Sequence, residues 1–151
     1  MSNQAKTFAI IGMGRFGASV AQTLCTLGHE VLAVDRDEGR IAAIADHVTH
    51  AIVADTTDER TLKRIGIRNF DCVVISVGDD IRTSILTTVL VKEQGASLVI
   101  AKASDRLHAR LLEKTGADKV VLPEHEAGVR LARSLVSGSI IDYLDLSDRY
   151  S

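Results

Sequence analysis

Gly12, Gly14 and Gly17 stand at the spacing GxGxxG, and Asp35 follows eighteen residues after the last of them. Residues of these types in this order suit one kind of chemistry, which is holding the phosphates and ribose of an adenosine nucleotide. The first glycine allows a tight turn, the second lets a phosphate approach the backbone, and the third lets a helix lie close to a strand. N–H groups in the first turn of that helix, with its dipole, then face an anion. An acid at Asp35 accepts hydrogen bonds from the two ribose hydroxyls and repels a 2′-phosphate. Met13, Arg15 and Phe16 fill the loop between the glycines. The Arg15 guanidinium is placed to reach a terminal phosphate, which favours ATP or ADP over a dinucleotide. The plainer reading of Arg15 is a solvated cation at a helix start.

A glycine loop carries this meaning only between a strand and a helix. Thr7–Ile11 is apolar enough for a buried parallel strand, and Phe16, Val20, Leu24 and Leu27 fall on one face of a following helix. Val31–Asp35 is a second strand that ends in the acid. A helix opened by Asp37 and Glu38 runs to about Asp46, carrying Ile41 and Ile44 inward. Thr49–Ala54 is a third strand, and Thr56 with Glu59 has capping-box spacing for a helix that ends at Gly66. Cys72–Val77, Leu98–Ala101 and Lys119–Leu122 are predicted strands. Helices over 80–93, from Ser104-Asp105 to Gly116, and from Pro123 to about Val136 complete the series. Six strands alternating with helices predict an α/β fold, a doubly wound, parallel, Rossmann-like sheet in the order 3-2-1-4-5-6. The predicted nucleotide-binding domain covers 1–136, and 137–151 is a crossing segment with an apolar patch that needs something else to pack on.

In such a sheet the ligand lies along the carboxyl ends of the strands. Arg36 follows Asp35 and either stacks on adenine or is merely exposed. Asp55 and Thr56 end strand three beside the adenine position, where Asp55 either accepts from the adenine amine or begins the next helix cap. Ser76, Val77 and Gly78 end strand four where the strand order reverses, so their backbone is predicted to line the ribose-phosphate cleft. Lys102 ends strand five and suits a phosphate or an acid. Glu124 opens the last helix, where it either complements the dipole or holds Mg2+ or another divalent ion against a bound polyphosphate. His108, His125 and Glu126 lack zinc spacing and read as surface residues.

At 151 residues the chain can bury a sizeable core, and 46% hydrophobic with 3% aromatic residues means one of Val, Ile, Leu and Ala. A net charge of −2 invites neither nucleic acid nor an anionic membrane. No apolar run reaches a membrane span, and the start lacks the layout of a signal peptide, so a cytoplasmic chain is expected. Cys25 and Cys72 have no metal or redox spacing and read as small hydrophobes. Catalysis finds no support: Tyr143 has no lysine four residues on, and Ser19 lacks the second glycine of a nucleophile elbow. A nucleotide site without catalytic groups reads as a sensor. The rival readings are an NAD(H)-dependent redox sensor and a small oxidoreductase fragment.

The stretches Phe8–Gly17, Gly28–Asp35, Gly66–Phe70, Ile85–Thr88, Lys114–Asp118 and Asp142–Ser147, in this order across nearly the whole chain, resemble the N-terminal lobe of a regulator-of-potassium-conductance (RCK/KTN, TrkA-N-like) domain, as in the cytoplasmic regulatory subunits of bacterial Ktr and Trk potassium transporters. The resemblance implies a subunit that binds ATP and ADP, with NAD or NADH as further ligands, in the glycine-loop cleft and so gates a membrane potassium transporter or channel. It implies a homodimer that assembles into a ring, an octamer at full length, beneath the pore protein. The subunit is then peripheral to the inner face of the membrane and not inserted in it. By position it implies that Arg15 reads the terminal phosphate, Asp35 binds the ribose and Glu124 lies near a divalent ion. It also gives subunit contacts to the apolar face of the 80–93 helix and to the last helix. Family members usually carry a further C-terminal lobe, toward which 137–151 would lead.

Overall fold

Six parallel strands form one sheet in the order β3-β2-β1-β4-β5-β6 in a computed structural model that describes residues 4–77 and 80–138. The elements are β1 (Thr7–Ile11), α1 (Arg15–Thr26), β2 (Glu30–Asp35), α2 (Glu38–Ile44), β3 (His50–Val53) and α3 (Glu59–Ile65). They continue with β4 (Cys72–Ile75), α4 (Ile81–Glu93), β5 (Val99–Lys102), α5 (Arg106–Lys114), β6 (Lys119–Val121) and α6 (Pro123–Ser137). The predicted order is the observed one. Strands start or stop within one or two residues of their expected ends.

The sheet belongs to a unit that reaches Val121, and a second unit begins at Leu122. Ile10, Val31, Ala33, Cys72 and Val74 form one core with Met13, Ala21, Ile41 and Ile44 of the α1 and α2 side. The alternate strand residues Ala9, Ile11, Leu32, Val34, Val73 and Ile75 are equally buried. Side chains alternate across a strand, so burial of both sets requires cover on both faces.

Several local expectations change. Leu27 is not on the inner face of α1 but caps its end, 67% exposed, because the chain turns away at Gly28. The cap of α3 is Asp58, whose side chain accepts from Arg60 N at 2.9 Å, and not Thr56. Thr56 is only 4% exposed, and its hydroxyl is engaged with Thr87 at 3.3 Å. On α4 the buried stripe is Ser84, Thr87, Thr88 and Val91, at i, i+3, i+4 and i+7, while Ile81 and Leu86 stay exposed. Thr88 Oγ1 donates to Ser84 O, so this hydroxyl stripe spends its donors within the protein. His108 is not a surface residue either: it is 1% exposed. Cys72 is buried and Cys25 half-buried, and the low-dielectric surroundings push the Cys72 thiol up. Residues 139–151, which include most of the predicted crossing segment, lie outside the described residues.

Candidate nucleotide site at the strand ends

The loop after β1 is built by three interlocking contacts. Gly12 has a φ of +99°, and a Cβ there would meet the Ser76 carbonyl oxygen at 2.5 Å. A Cβ on Gly17 would collide with the Gly12 carbonyl oxygen and Ser76 Oγ. Only glycine fits either place. Ser76 binds the loop from beneath: its hydroxyl donates to Gly12 O at 2.9 Å and lies 3.2 Å from Ile11 O, and its N–H donates to Ile11 O at 2.7 Å. Gly14 differs, because a Cβ there would have nothing within 4 Å. It is the N-cap of α1, without a side-chain cap and with no acid in the first turn. The helix thus begins with N–H groups that no side chain caps, an arrangement suited to an anion.

Asp35 closes the other side. Its Oδ2 accepts from Met13 N at 2.7 Å and its Oδ1 from Asp37 N at 2.8 Å. The carboxylate is therefore clamped between the loop and the start of α2, with lone pairs left for ribose hydroxyls. Arg40 on α2 lies 3.8 Å from Asp35 Oδ2, with 56% of its side chain exposed. A cavity of about 190 Å³ opens here, with Gly12, Asp35, Arg36, Arg40, Thr56 and Val77 in its wall. Asp80 and Thr83, at the start of α4, complete that wall. Asp80 caps α4 by accepting from Arg82 N at 3.1 Å and Thr83 Oγ1 at 2.7 Å, which holds its exposed carboxyl below the usual range, the Thr83 hydroxyl first among the causes.

Other candidates take separate places. Asp55 Oδ1 accepts from the Thr57 hydroxyl at 2.6 Å and from Thr57 N at 2.9 Å, a local turn that neither caps α3 nor stands in the cavity wall. Those bonds, with the Arg36 charge a lesser cause, hold its carboxyl below the ordinary range. The Ser76 hydroxyl is turned into the protein, so of the strand-four residues it is Val77 that lines the cavity. Gly78 lies outside the described residues. Arg15 is exposed at the first position of α1. Lys102, the last residue of β5, holds its Nζ 5.9 Å from the centroid of the Phe16 ring, which brings a second cation beside the glycine loop. Glu124 sits in the first turn of α6, in the second unit, where it complements the helix dipole. Among the described residues no three of His, Cys, Asp and Glu are gathered as a metal site.

A glycine turn bound to a clamped strand-end acid occurs in many nucleotide-binding proteins. The family is decided by the rest of the sequence, since the model for the TrkA-N domain matches residues 8–123. The chain belongs to the TrkA-N domain family. Within it, the Ktr system potassium uptake protein A of Bacillus subtilis (strain 168) is 46% identical over 146 residues, 97% of this chain and 66% of that protein. The chain thus spans just under two thirds of the curated relatives it matches. Among solved structures, the NAD(P)-binding domain of an exopolyphosphatase-related protein from Archaeoglobus fulgidus superposes with a TM-score of 0.77 at 23% identity, over 87% of this chain and 98% of that one. The GsuK channel bound to NAD superposes with a TM-score of 0.69 at 15% identity, over 80% of this chain and 22% of that one. The same channel has been solved bound to ADP. At such identities the likeness is one of fold.

Sequence reasoning about this TrkA-N domain missed Arg40, Asp80 and Thr83. Asp80 and Thr83 carried a signal, the Asp-x-x-Thr spacing of a helix cap placed just after a strand end. Arg40 carried none, because only the path of α2 brings it back over Asp35.

Proposed function

We propose that the chain is the nucleotide-sensing lobe of a cytoplasmic regulator of a membrane potassium transporter or channel, with ATP and ADP as ligands. The observation that carries this reading is the uncapped start of α1 beside a carboxylate whose two oxygens are already fixed by Met13 N and Asp37 N. Phosphate binds at the first and adenosine ribose at the second. Two cations by the loop, Arg15 and Lys102, favour a polyphosphate over the two flanked phosphates of a dinucleotide. NAD remains the competing ligand, since loop and acid serve it equally and the GsuK channel has been solved with it bound. The 46% identity to a Ktr system potassium uptake protein supports potassium transport as the process regulated.

Sensing follows from differential contact. Ligands alike up to the α-phosphate differ in what they offer Arg15 and Lys102, and a ligand shifts a conformational equilibrium only by its differential affinity for the two states. Among the described residues no helix is long and apolar enough to cross a membrane. A ring of copies would present the exposed Ile81 and Leu86 of α4 and Leu107 of α5 for subunit contacts. Glu124 would hold a divalent ion only with oxygen ligands from a bound polyphosphate or another subunit. Among the described residues of the cavity wall the carboxylates Asp35 and Asp80 are taken up by bonds to Met13 N, Asp37 N and the start of α4, which favours sensing over an oxidoreductase.

Titration calorimetry with ATP, ADP, AMP, NAD and NADH, with and without Mg2+, tests the proposal. Tighter binding of ATP and ADP than of NAD is expected, and Arg15→Ala should weaken ATP by roughly tenfold while leaving AMP nearly unchanged, the value of one charge-assisted contact. Preference for NADH, with Arg15→Ala weakening all ligands equally, would overturn it in favour of a redox sensor.

A further inference from the structure

A buried imidazole joins two helices, one of which contributes Thr83 to the wall of the candidate cavity. His108 of α5 is 1% exposed. Its Nδ1 lies 3.0 Å from Ser104 N and 3.2 Å from Ser104 Oγ, and its Nε2 lies 2.9 Å from Ser84 Oγ on α4. A backbone N–H only donates, so Nδ1 is an acceptor, and the one proton of the neutral ring sits on Nε2 and donates to Ser84. The backbone N–H of His108 donates in turn to Asp105 Oδ1 at 2.8 Å, the cap of the same helix. The ring thus links the turn after β5, the first turn of α5 and the buried face of α4.

The geometry points to an acid-released latch in which His108 fastens α5 and the β5–α5 turn to α4 only while its ring is neutral. A proton on Nδ1 would set two N–H donors against each other across 3.0 Å. The Ser104 hydroxyl can turn its oxygen toward the new proton, but the Ser104 backbone N–H cannot turn away, and the charge stays buried. Burial already holds the ring below the usual imidazole range, and Asp105 is a smaller opposing influence. Facing the ring from α4 is the neutral Ser84, and from the turn the neutral Ser104. Among the described residues Asp105 is the charged group acting on it. Because the ring binds protons more weakly when latched than when released, the latch is whole above about pH 6.5, weakens as pH falls from there to the latched value, and changes no further below it. Within that window its equilibrium shifts by up to about tenfold per pH unit.

The latch bears on the cavity because α4 serves both. Asp80 and Thr83 wall the cavity, Ser84 follows directly, and Thr87 is paired with Thr56 of the same wall. Releasing α5 removes the support behind that stripe, so acid should weaken nucleotide binding, and a bound nucleotide should by linkage make His108 harder to protonate. This second half rests on the nucleotide reading proposed above.

The test is NMR of the whole chain from pH 7.5 to 5, following the His108 ring nitrogens and the Ser104 amide. The expected result is the Nε2–H tautomer at neutral pH and a ring midpoint below about 6.5. The Ser104 amide should move with that same midpoint, and the step should be gone in His108→Asn, whose Oδ1 keeps the acceptor and takes no proton. An Nδ1–H tautomer, or a ring titrating at an ordinary value with Ser104 unmoved, overturns the latch. Wild-type data alone decide this should the variant not fold. Coupling is read from ADP affinity at pH 7.5 and 5.5, where the wild type should lose several-fold more than His108→Asn. Equal losses overturn the coupling, and no ADP binding at pH 7.5 overturns the nucleotide reading and the coupling with it, while the ring titration still decides the latch.

Discussion

Asp35 does two things with one carboxylate. In the proposed function it offers acceptors to a ligand, and in the structure it ties the glycine loop to the start of α2 through Met13 N and Asp37 N. Asp35→Ala therefore removes the ribose contacts and frees the loop. Hydrogen bonds to a charged group contribute about 1.5–3 kcal/mol each and two ribose hydroxyls lose theirs, so ATP, ADP and AMP should all lose at least roughly 100-fold in affinity, to a similar degree. Calorimetry showing ATP unchanged would refute the ribose assignment. Ser76 acts from below, its hydroxyl held by the Gly12 carbonyl and its side chain outside the cavity wall. Ser76→Ala leaves the Gly12 carbonyl without its buried partner and should cost about 1–3 kcal/mol in denaturant unfolding, lowering all adenosine ligands by one common factor.

At the scale of elements, the helix ends are held by carboxylates with different partners, and their titration can be foreseen. Asp118, in the turn before β6, accepts from Val99 N at 2.7 Å and from Lys92 Nζ at 3.3 Å. The Val99 N–H, with lesser help from Lys92, holds its carboxyl below the usual range. A group bound more weakly by protons when folded adds stability above its unfolded value, about pH 3.9, and loses it as pH falls through the folded value. Acid unfolding of Asp118→Asn should therefore show a shallower loss below about pH 4 than the wild type, and parallel curves would show that the contact adds nothing.

The elements also show where the sequence was legible. The loop and Asp35 were plain because they are encoded in backbone geometry: a positive φ at Gly12 and a close approach at Gly17 leave one residue type for each place. The strand order was plain because short apolar runs alternate with capped helices. The inner face of α4 was hidden, since periodicity weighs apolar residues and this helix buries Ser84, Thr87 and Thr88 while showing Ile81 and Leu86. Thr56 and Asp58 both had the chemistry of a cap for α3, and only the contact with Thr87, 31 residues away, removes Thr56 from that role. His108 was misread for the same reason, as its partner Ser84 lies 24 residues back on another helix.

For the whole molecule, a ligand that binds only the folded chain raises its stability by mass action. At a nucleotide concentration a hundredfold above Kd the gain is about 2.7 kcal/mol, or roughly 5–10 °C in Tm for a domain of this size. Thermal unfolding should show this with ADP and much less with Asp35→Ala. An equal rise in both would place the binding elsewhere, for instance at the hollow of about 400 Å³ lined by Thr7, Glu30 and His50, where the strands begin.

The interlocked turn formed by Gly12, Gly17 and Ser76 has a consequence for kinetics. A loop that is already shaped before the ligand arrives has little to rearrange, so encounter is limited by diffusion and orientation and not by a folding step. Adenosine ligands of similar charge should then arrive at similar rates. What separates them is how long each stays, so under the proposed function nucleotides would be told apart by residence time.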